Sequence, residues 1–324
     1  MTKNNFFSKK NVLVTGGTGL IGRQVVKKLL EQGSNITIVS LDQVTVDDRV
    51  NLIFGDLTDL NFCKEITAST DYVCHLAGIK ASIEISKSHL ASHFVPTLMM
   101  NCNVLEAAFQ NQVTGLVYTS SIGAYPADES ILHEEIKYEK PPMDFAGWAK
   151  RMGELQIHAY NVQHGLENFS VVRLPNVYGP GDNFDPRNAM VVASLMARIK
   201  SGEKPLKVWG DGTAQRDFLF SKDAADGILL AMQKGTRGEF VNIGSGKAAS
   251  ICELVETLSE ITDFSYEFDI SKPSGAPLKL LEIKRAREWL NYQPKFTLKE
   301  GLKETWDWFS GNEGESEKRK NYFT

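Results

Sequence analysis

Short apolar runs alternate with stretches of helical spacing from residue 11 onward. NVLVTGG (11–17) is an apolar run ending in glycines. Behind it, Val25, Val26, Leu29 and Leu30 share one side of a predicted helix over 20–33, which Gly33 stops. NITIVSL (35–41) predicts the next strand. NLIFGD (51–56), a helix, DYVCHLAG (71–78), a longer helix around 96–112 and GLVYTSS (115–121) follow in turn. A helix over about 144–164 ends at His164-Gly165, and FSVVRLPNVYG (169–179) predicts a strand breaking into a loop. Strand-like runs alternating with helices predict an α/β arrangement, a parallel sheet with helices on both faces.

Past residue 180 the rhythm loosens. GPGDNFDPRN and KPLKVWGDGTAQR carry loop chemistry around a helix at about 188–201, and the sheet pattern returns at DFLF and EFVNIGSG (239–246). Residues 250–310 mix helices with a Pro-rich loop, SKPSGAP (271–277), and the charged tail is expected to fray. Composition narrows the function classes. The 324 residues are 42% hydrophobic and 23% charged, a globular mixture, and the net charge of −4 gives no electrostatic case for nucleic acid. No apolar run is long enough to predict a membrane span, and the polar N-terminus lacks the apolar segment of a secretory signal. Cys63, Cys74, Cys102 and Cys252 form no CxxC pair, so a reducing cytoplasm is expected.

The chemistry begins at Gly16-Gly17-Thr18-Gly19-Leu20-Ile21-Gly22, which follows a strand and opens a helix. Glycine permits a tight turn and close approach of backbone to a pyrophosphate, and the helix N-terminus supplies free N–H groups. An acid is then expected at the end of the second strand to hold the adenosine ribose. Ser40 stands there, with Asp42 two residues later. Asp42 either reaches the ribose hydroxyls, favouring NAD, or is a solvated turn residue, with Arg49 or Arg23 accommodating the 2′-phosphate of NADP. Asp56, ahead of Leu57 after the third strand, is placed to contact the adenine amino group or to cap a helix.

Several stretches then match one family in order: TGGTGLIG, GDL, HLAG, YTSSIGAY, the helix with Lys150 and Glu154, RLPNVYGPGDNF, VWGDGTAQRDF and VNIGSG. The chain resembles the extended short-chain dehydrogenase/reductases, specifically the NAD-dependent epimerase/dehydratases that act on nucleotide sugars. YGPGDNFDP, KPSGAPLKLLEIKR and KEGLKETWDWF look like the GDP-fucose synthase type. The resemblance implies a Rossmann-type doubly wound domain over 1–175 and 216–244, a smaller α/β substrate domain over 176–215 and 245–312, and a mobile tail over 313–324. It implies that Gly16, Gly19 and Gly22 cradle the pyrophosphate and that Leu76, Ala77 and Gly78 line the riboses. Ser121 becomes the catalytic Ser/Thr and Lys150 the active-site lysine. Asn176 orients the sugar, and Arg216 pairs with the nucleotide diphosphate.

The chain departs from that pattern at three positions. The family's acid/base is Tyr-x-x-x-Lys, with both side chains on one helical face. Four residues before Lys150 stands Ala146, and nothing over 145–149 transfers a proton. The fucose synthase type also uses a cysteine and a histidine where this chain has Gly123 and Gly181. Tyr125 is an outside candidate for the base, with packing as its plainer reading. Lys80 either borders the substrate or points to solvent. His89 and His93 share a helical spacing, but Leu90 takes the place of the Glu in HExxH, so no metal site is expected. His75 reads as a satisfied core residue, Arg173 as a strand anchor and Glu134 as part of a solvated face. The expected function is a nucleotide-sugar epimerase or related oxidoreductase using NAD(P). The alternative is a non-catalytic binding protein of the same fold. A homodimer is expected, its candidate face on the helices near 96–112 and 144–164; ordinary sheet packing is the other reading of those apolar residues.

Overall fold

The computed structural model describes residues 5–79, 88–185, 188–312 and 314–315. The apolar runs become strands β1 (Asn11–Thr15), β2 (Asn35–Ser40), β3 (Asn51–Phe54), β4 (Tyr72–His75), β5 (Gly115–Ser121), β7 (Phe169–Leu174) and β12 (Phe240–Asn242). They form one seven-stranded sheet in the order β12-β7-β5-β4-β1-β2-β3. Every neighbouring pair in it is parallel. β4, β5 and β7 are buried almost end to end, as parallel strands covered on both faces must be. The covering helices are α1 (Gly22–Glu31), α2 (Leu60–Thr67), α3 (Leu90–Gln110), α4 (Phe145–His164) and α6 (Ser221–Lys234). In α1, Val25, Val26 and Leu29 are the buried stripe that the spacing predicted.

The chain runs outward from β1 through β2 and β3, then returns to β4 on the other side of β1. The strand ends at that reversal form a crevice, the usual ligand position in such sheets. The glycine loop leaves β1 there, and Leu76–Gly78 leave β4 beside it.

The remaining elements are β6 (Ile131–Leu132), β8 (Asn176–Tyr178), α5 (Val191–Lys200), β9 (Leu206–Trp209), β10 (Gln215–Arg216), β11 (Phe218–Phe220), β13 (Ala249–Ser250), α7 (Ile251–Ile261), β14 (Tyr266–Asp269), β15 (Leu278–Leu281), α8 (Lys284–Leu290) and α9 (Leu298–Gly311). A second core gathers Phe184, Val192, Met196, Leu206, Leu254 and Leu302, among others. β11 joins the two cores by its period of two: Phe218 and Phe220 face the second core and Leu219 the first. Leu281, Ile283, Ala286 and Leu290 pack into the first core, so the chain's last third is shared between both. Capping boxes at Ser250/Glu253 and Thr297/Glu300 start α7 and α9. No helix among the described residues is long and apolar enough to cross a membrane.

Candidate active site

The four glycines of the loop do different work. Gly16 has a φ of 69°, and a Cβ on it would lie 2.9 Å from Ala77 Cα. It therefore presses the loop against Leu76–Gly78. A Cβ on Gly22 would stand 2.2 Å from the Gly16 carbonyl oxygen, so this glycine lets α1 start hard against the turn. At Gly19 the nearest atom is that same oxygen at 3.3 Å, and the rest of its surroundings are open. Gly17 packs on Ile38, and Leu20 and Ile21 are half-buried. No side chain caps α1. The Arg23, Gln24 and Val25 N–H groups already bond to the Gly19 and Ile21 carbonyls, so the N–H groups left for a pyrophosphate are those of Leu20, Ile21 and Gly22, which have no protein partner among the described residues. The loop fits a dinucleotide.

At the end of β2, Thr18 donates its hydroxyl proton to Asp42 at 3.1 Å. Ser40 therefore donates to Thr18 Oγ1, 2.8 Å away, while Ser40 Oγ accepts the Asp42 N–H at 3.0 Å. This fixes Asp42 beside the glycine loop. Both candidate ligands for a 2′-phosphate are engaged by carboxylates: Arg49 with Asp47, and Arg23 with Glu315 at 2.6 Å. Asp56 is exposed and closes a turn onto the Thr58 N–H. It does not cap α2; Asp59 does, accepting from Asn61 and Phe62. The Leu57 side chain lies in the core rather than in the crevice.

Lys150 reaches back from α4 to β5. Its ammonium donates to the Thr119 carbonyl at 2.9 Å and sits 5.2 Å from the centre of the Tyr118 ring. Gly78 leaves room in front of it, since a Cβ there would be 3.4 Å from Nζ. Burial lowers the lysine's pKa to about 8, against an opposing pull from Glu154. Among the described residues, no carboxylate forms an ion pair with it. Ser121 ends the same strand, and its Oγ accepts the Gly123 N–H at 3.1 Å. Its own proton stays available to a ligand.

Tyr125 is not in the crevice. It is fully buried and donates to Asn242 at 3.0 Å, under the Arg173 guanidinium. Burial raises its pKa, so it is a core residue and no base. Glu134, read as solvated, is also buried: its carboxylate accepts the backbone N–H groups of Asn242 and Arg285. Arg173 forms a buried pair with Glu154 at 2.6 Å, which also takes the Ser120 hydroxyl. His93 faces the Ile79 carbonyl at 2.7 Å, and His89 faces Ser88 at 2.9 Å. Lys80 lies outside the described residues.

In the part read from sequence as the substrate domain and its border, Asn176 Nδ2 donates to the Asp217 carbonyl at 3.2 Å. Arg216 on β10 stands opposite Lys279 on β15. Arg216 donates to the Gln215 and Ala276 carbonyls, and Lys279 donates to Ala127 and Glu129 carbonyls. Both pKa values are pushed down, chiefly by burial, and Lys279 further by the charge of Arg216. A half-buried guanidinium and a buried lysine thus stand side by side with no carboxylate paired to either among the described residues. Lys279, which the sequence pattern did not single out, is brought beside Arg216 by strand pairing alone.

A profile of the NAD dependent epimerase/dehydratase family matches residues 12–244. The chain belongs to this family. It is similar to GDP-L-fucose synthase 1 of Arabidopsis thaliana, 30% identical with 93% of each chain covered. It is as similar to a putative UDP-glucose 4-epimerase of Methanocaldococcus jannaschii, 30% identical over 93% of this chain and 99% of the relative. The UDP-glucose 4-epimerase of Thermotoga maritima, solved with UDP-glucose, superposes with a TM-score of 0.82. It is 29% identical, over 93% of this chain and 99% of that one.

Within this epimerase/dehydratase chain, the two glycines that replace the cysteine and histidine of the fucose synthase type are held by their neighbours. A Cβ at Gly123 would lie 3.4 Å from Gly147 Cα and 3.6 Å from Asp144 Oδ1. A longer side chain there would press on the N-cap of α4. At Gly181, φ is 80° and a Cβ would fall 2.1 Å from Arg23 Nε, so the guanidinium fills that volume.

Proposed function

We propose that this chain holds a nucleotide-diphosphate sugar and an NAD(P) dinucleotide in one crevice and carries out reversible oxidation at a sugar carbinol. When bound, the dinucleotide supplies the hydride acceptor. Gly16–Gly22 and Leu76–Gly78 hold it, with Asp56 near the adenine. The place of Asp42 beside Thr18, and the carboxylate partners of Arg49 and Arg23, support NAD over NADP. Arg216 and Lys279 face the substrate diphosphate, a role that suits a forked guanidinium and an ammonium. Asn176 orients the sugar. A homodimer through α3 and α4 is part of the same reading.

The observation that carries the proposal is the state of Lys150. Its amine has one hydrogen-bond partner among the described residues, a carbonyl, and burial lowers its pKa to about 8. Such an amine gives up and regains a proton near neutral pH, which a general acid/base must do. In the absence of a tyrosine at Ala146, the sugar hydroxyl's proton passes through the Ser121 hydroxyl, or a water in the space beside Ala146, to Lys150.

The test is single-turnover formation of reduced cofactor against a panel of nucleotide sugars. Ala146→Tyr is expected to change the rate little or to lower it, because a tyrosine fills the space in use. A gain of about 10²–10⁴, the usual worth of a positioned acid/base, would instead show a damaged Tyr-x-x-x-Lys site. Tight binding with no turnover in either form would favour the non-catalytic reading, which Ala146 itself suggests.

A further inference from the structure

His75 ends β4, immediately before the Leu76–Gly78 loop, and is fully buried with both ring nitrogens engaged. Thr15 Oγ1 lies 2.8 Å from Nδ1, and Asn101 Oδ1 lies 3.0 Å from Nε2. Thr15 Oγ1 also accepts the N–H groups of Leu76 and Ala77, each at 3.2 Å, so its own proton goes to Nδ1. Nε2 then carries the ring proton and donates to Asn101 Oδ1, which fixes the tautomer. Asn101 passes the chain on: its Nδ2 donates to the Ala149 carbonyl at 3.1 Å. One line of hydrogen bonds thus runs from the loop beside the dinucleotide to the peptide group joined to Lys150.

A second contact closes the loop from below. The Tyr118 ring stacks on His75 with centroids 5.7 Å apart. The same ring lies under the Lys150 ammonium, and its hydroxyl donates to the Lys150 carbonyl at 3.0 Å. Gly153 makes this possible, since a Cβ there would lie 2.6 Å from Tyr118 Cζ. A buried imidazole costs desolvation that a leucine or phenylalanine would not, and only these bonds offset it. Packing alone does not call for this residue.

We infer that His75 is a positioning residue: through Thr15 on one side and Asn101 on the other, it couples the dinucleotide loop to the backbone that carries Lys150. The inference rests on the proposed role of the crevice. Burial holds the imidazole's pKa down to about 3, so the ring is a fixed, neutral link and does not titrate with the lysine. Among the described residues, the titratable groups facing Lys150 are Glu154 on α4, His75 on β4 and Tyr118 on β5, and α3 presents the uncharged Asn101.

Each half of the link is separable. His75→Asn keeps an acceptor for Thr15 near the Nδ1 position and loses Asn101. His75→Gln keeps an N–H for Asn101 near the Nε2 position and loses Thr15. Two readouts need no turnover: the NAD dissociation constant by protein fluorescence, and Lys150 acetylation by trace acetic anhydride across pH, read by mass spectrometry. His75→Gln is expected to weaken NAD about tenfold, the worth of one lost hydrogen bond, and to leave the lysine's titration in place. His75→Asn is expected to leave NAD affinity intact and to move the titration by about half a pH unit or more. Asn101→Ala, on a helix outside the sheet, should repeat the second pattern and serves if a His75 variant fails to fold. Equal effects of both variants on both readouts, or no effect in folded variants, would overturn the inference. Wild-type protein that does not bind NAD would sink the proposed function instead, while the lysine arm still tests the link.

Discussion

At the scale of single residues, Gly19 and Gly22 differ in what a methyl group would strike. Gly22 has backbone at 2.2 Å and 2.6 Å, whereas Gly19 has one carbonyl oxygen at 3.3 Å and open space beyond it. Gly19→Val is therefore expected to keep the melting temperature close to wild type and to weaken NAD(P) binding at least about tenfold, because its side chain holds the pyrophosphate off the loop N–H groups and forfeits a charge-assisted hydrogen bond. Gly22→Ala should instead destabilise the fold. Undiminished dinucleotide affinity in a folded Gly19→Val protein would show that the loop has been misread. The glycine loop was legible in the sequence because its demands are local: a strand, a turn and a helix within one short stretch. Tyr125 and Glu134 were not legible. Each lies in a polar stretch next to candidate chemistry, and each is turned inward by Asn242, a residue that only the fold brings near.

At the scale of elements, Asp217 ties β10 to the loop after β12. Its Oδ1 accepts both the N–H and the hydroxyl of Ser245, while its buried Oδ2 has no partner among the described residues. Burial raises its pKa to about 6. A carboxyl raised above its unfolded value of about 3.9 favours folding fully below that value, and the contribution is lost as pH rises through the folded pKa. Stability should therefore fall between about pH 4 and pH 7 by on the order of 3 kcal/mol from this group. Glu134, raised to about 7, acts in the same direction. Asp217→Asn removes the first slope alone, so the stability gap between variant and wild type should widen toward neutral pH. Urea midpoints at pH 4.5 and 7.5 measure it, and parallel curves would refute the assignment. The strands around this residue also mark where sequence reading stopped. The long apolar runs announced β1 to β5 and β7. β9 lies between a proline and a glycine turn and was read as loop, although its residues alternate buried and exposed. β10 and β13 are too short to show a period, β15 alternates half-buried and buried residues but directly follows a proline loop, and the register of all three comes from partners far along the chain.

At the scale of the whole molecule, α3 and α4 pack on each other, with Phe94 against Phe145 and Phe109 stacked on Tyr160. The face they leave outside is apolar. Val95 and Met99 on α3 are 46% and 44% exposed, and Phe145, Trp148 and Met152 on α4 are 48%, 36% and 36% exposed. Spacings of three and four residues put each set on one side of its helix. A contiguous patch of this kind marks an interaction surface more often than free solvent. Two antiparallel copies of one helix pair can cover each other through a twofold axis, with the same patch on both sides. Met99→Glu with Met152→Glu would place four carboxylates in such an interface, where burial and like charge both oppose association. The wild-type chain is expected to sediment as a dimer at micromolar concentration and the double variant as a monomer with unchanged circular dichroism. A monomeric wild-type chain, or a double variant that still dimerises, would remove this face from consideration and leave its apolar side chains as ordinary surface.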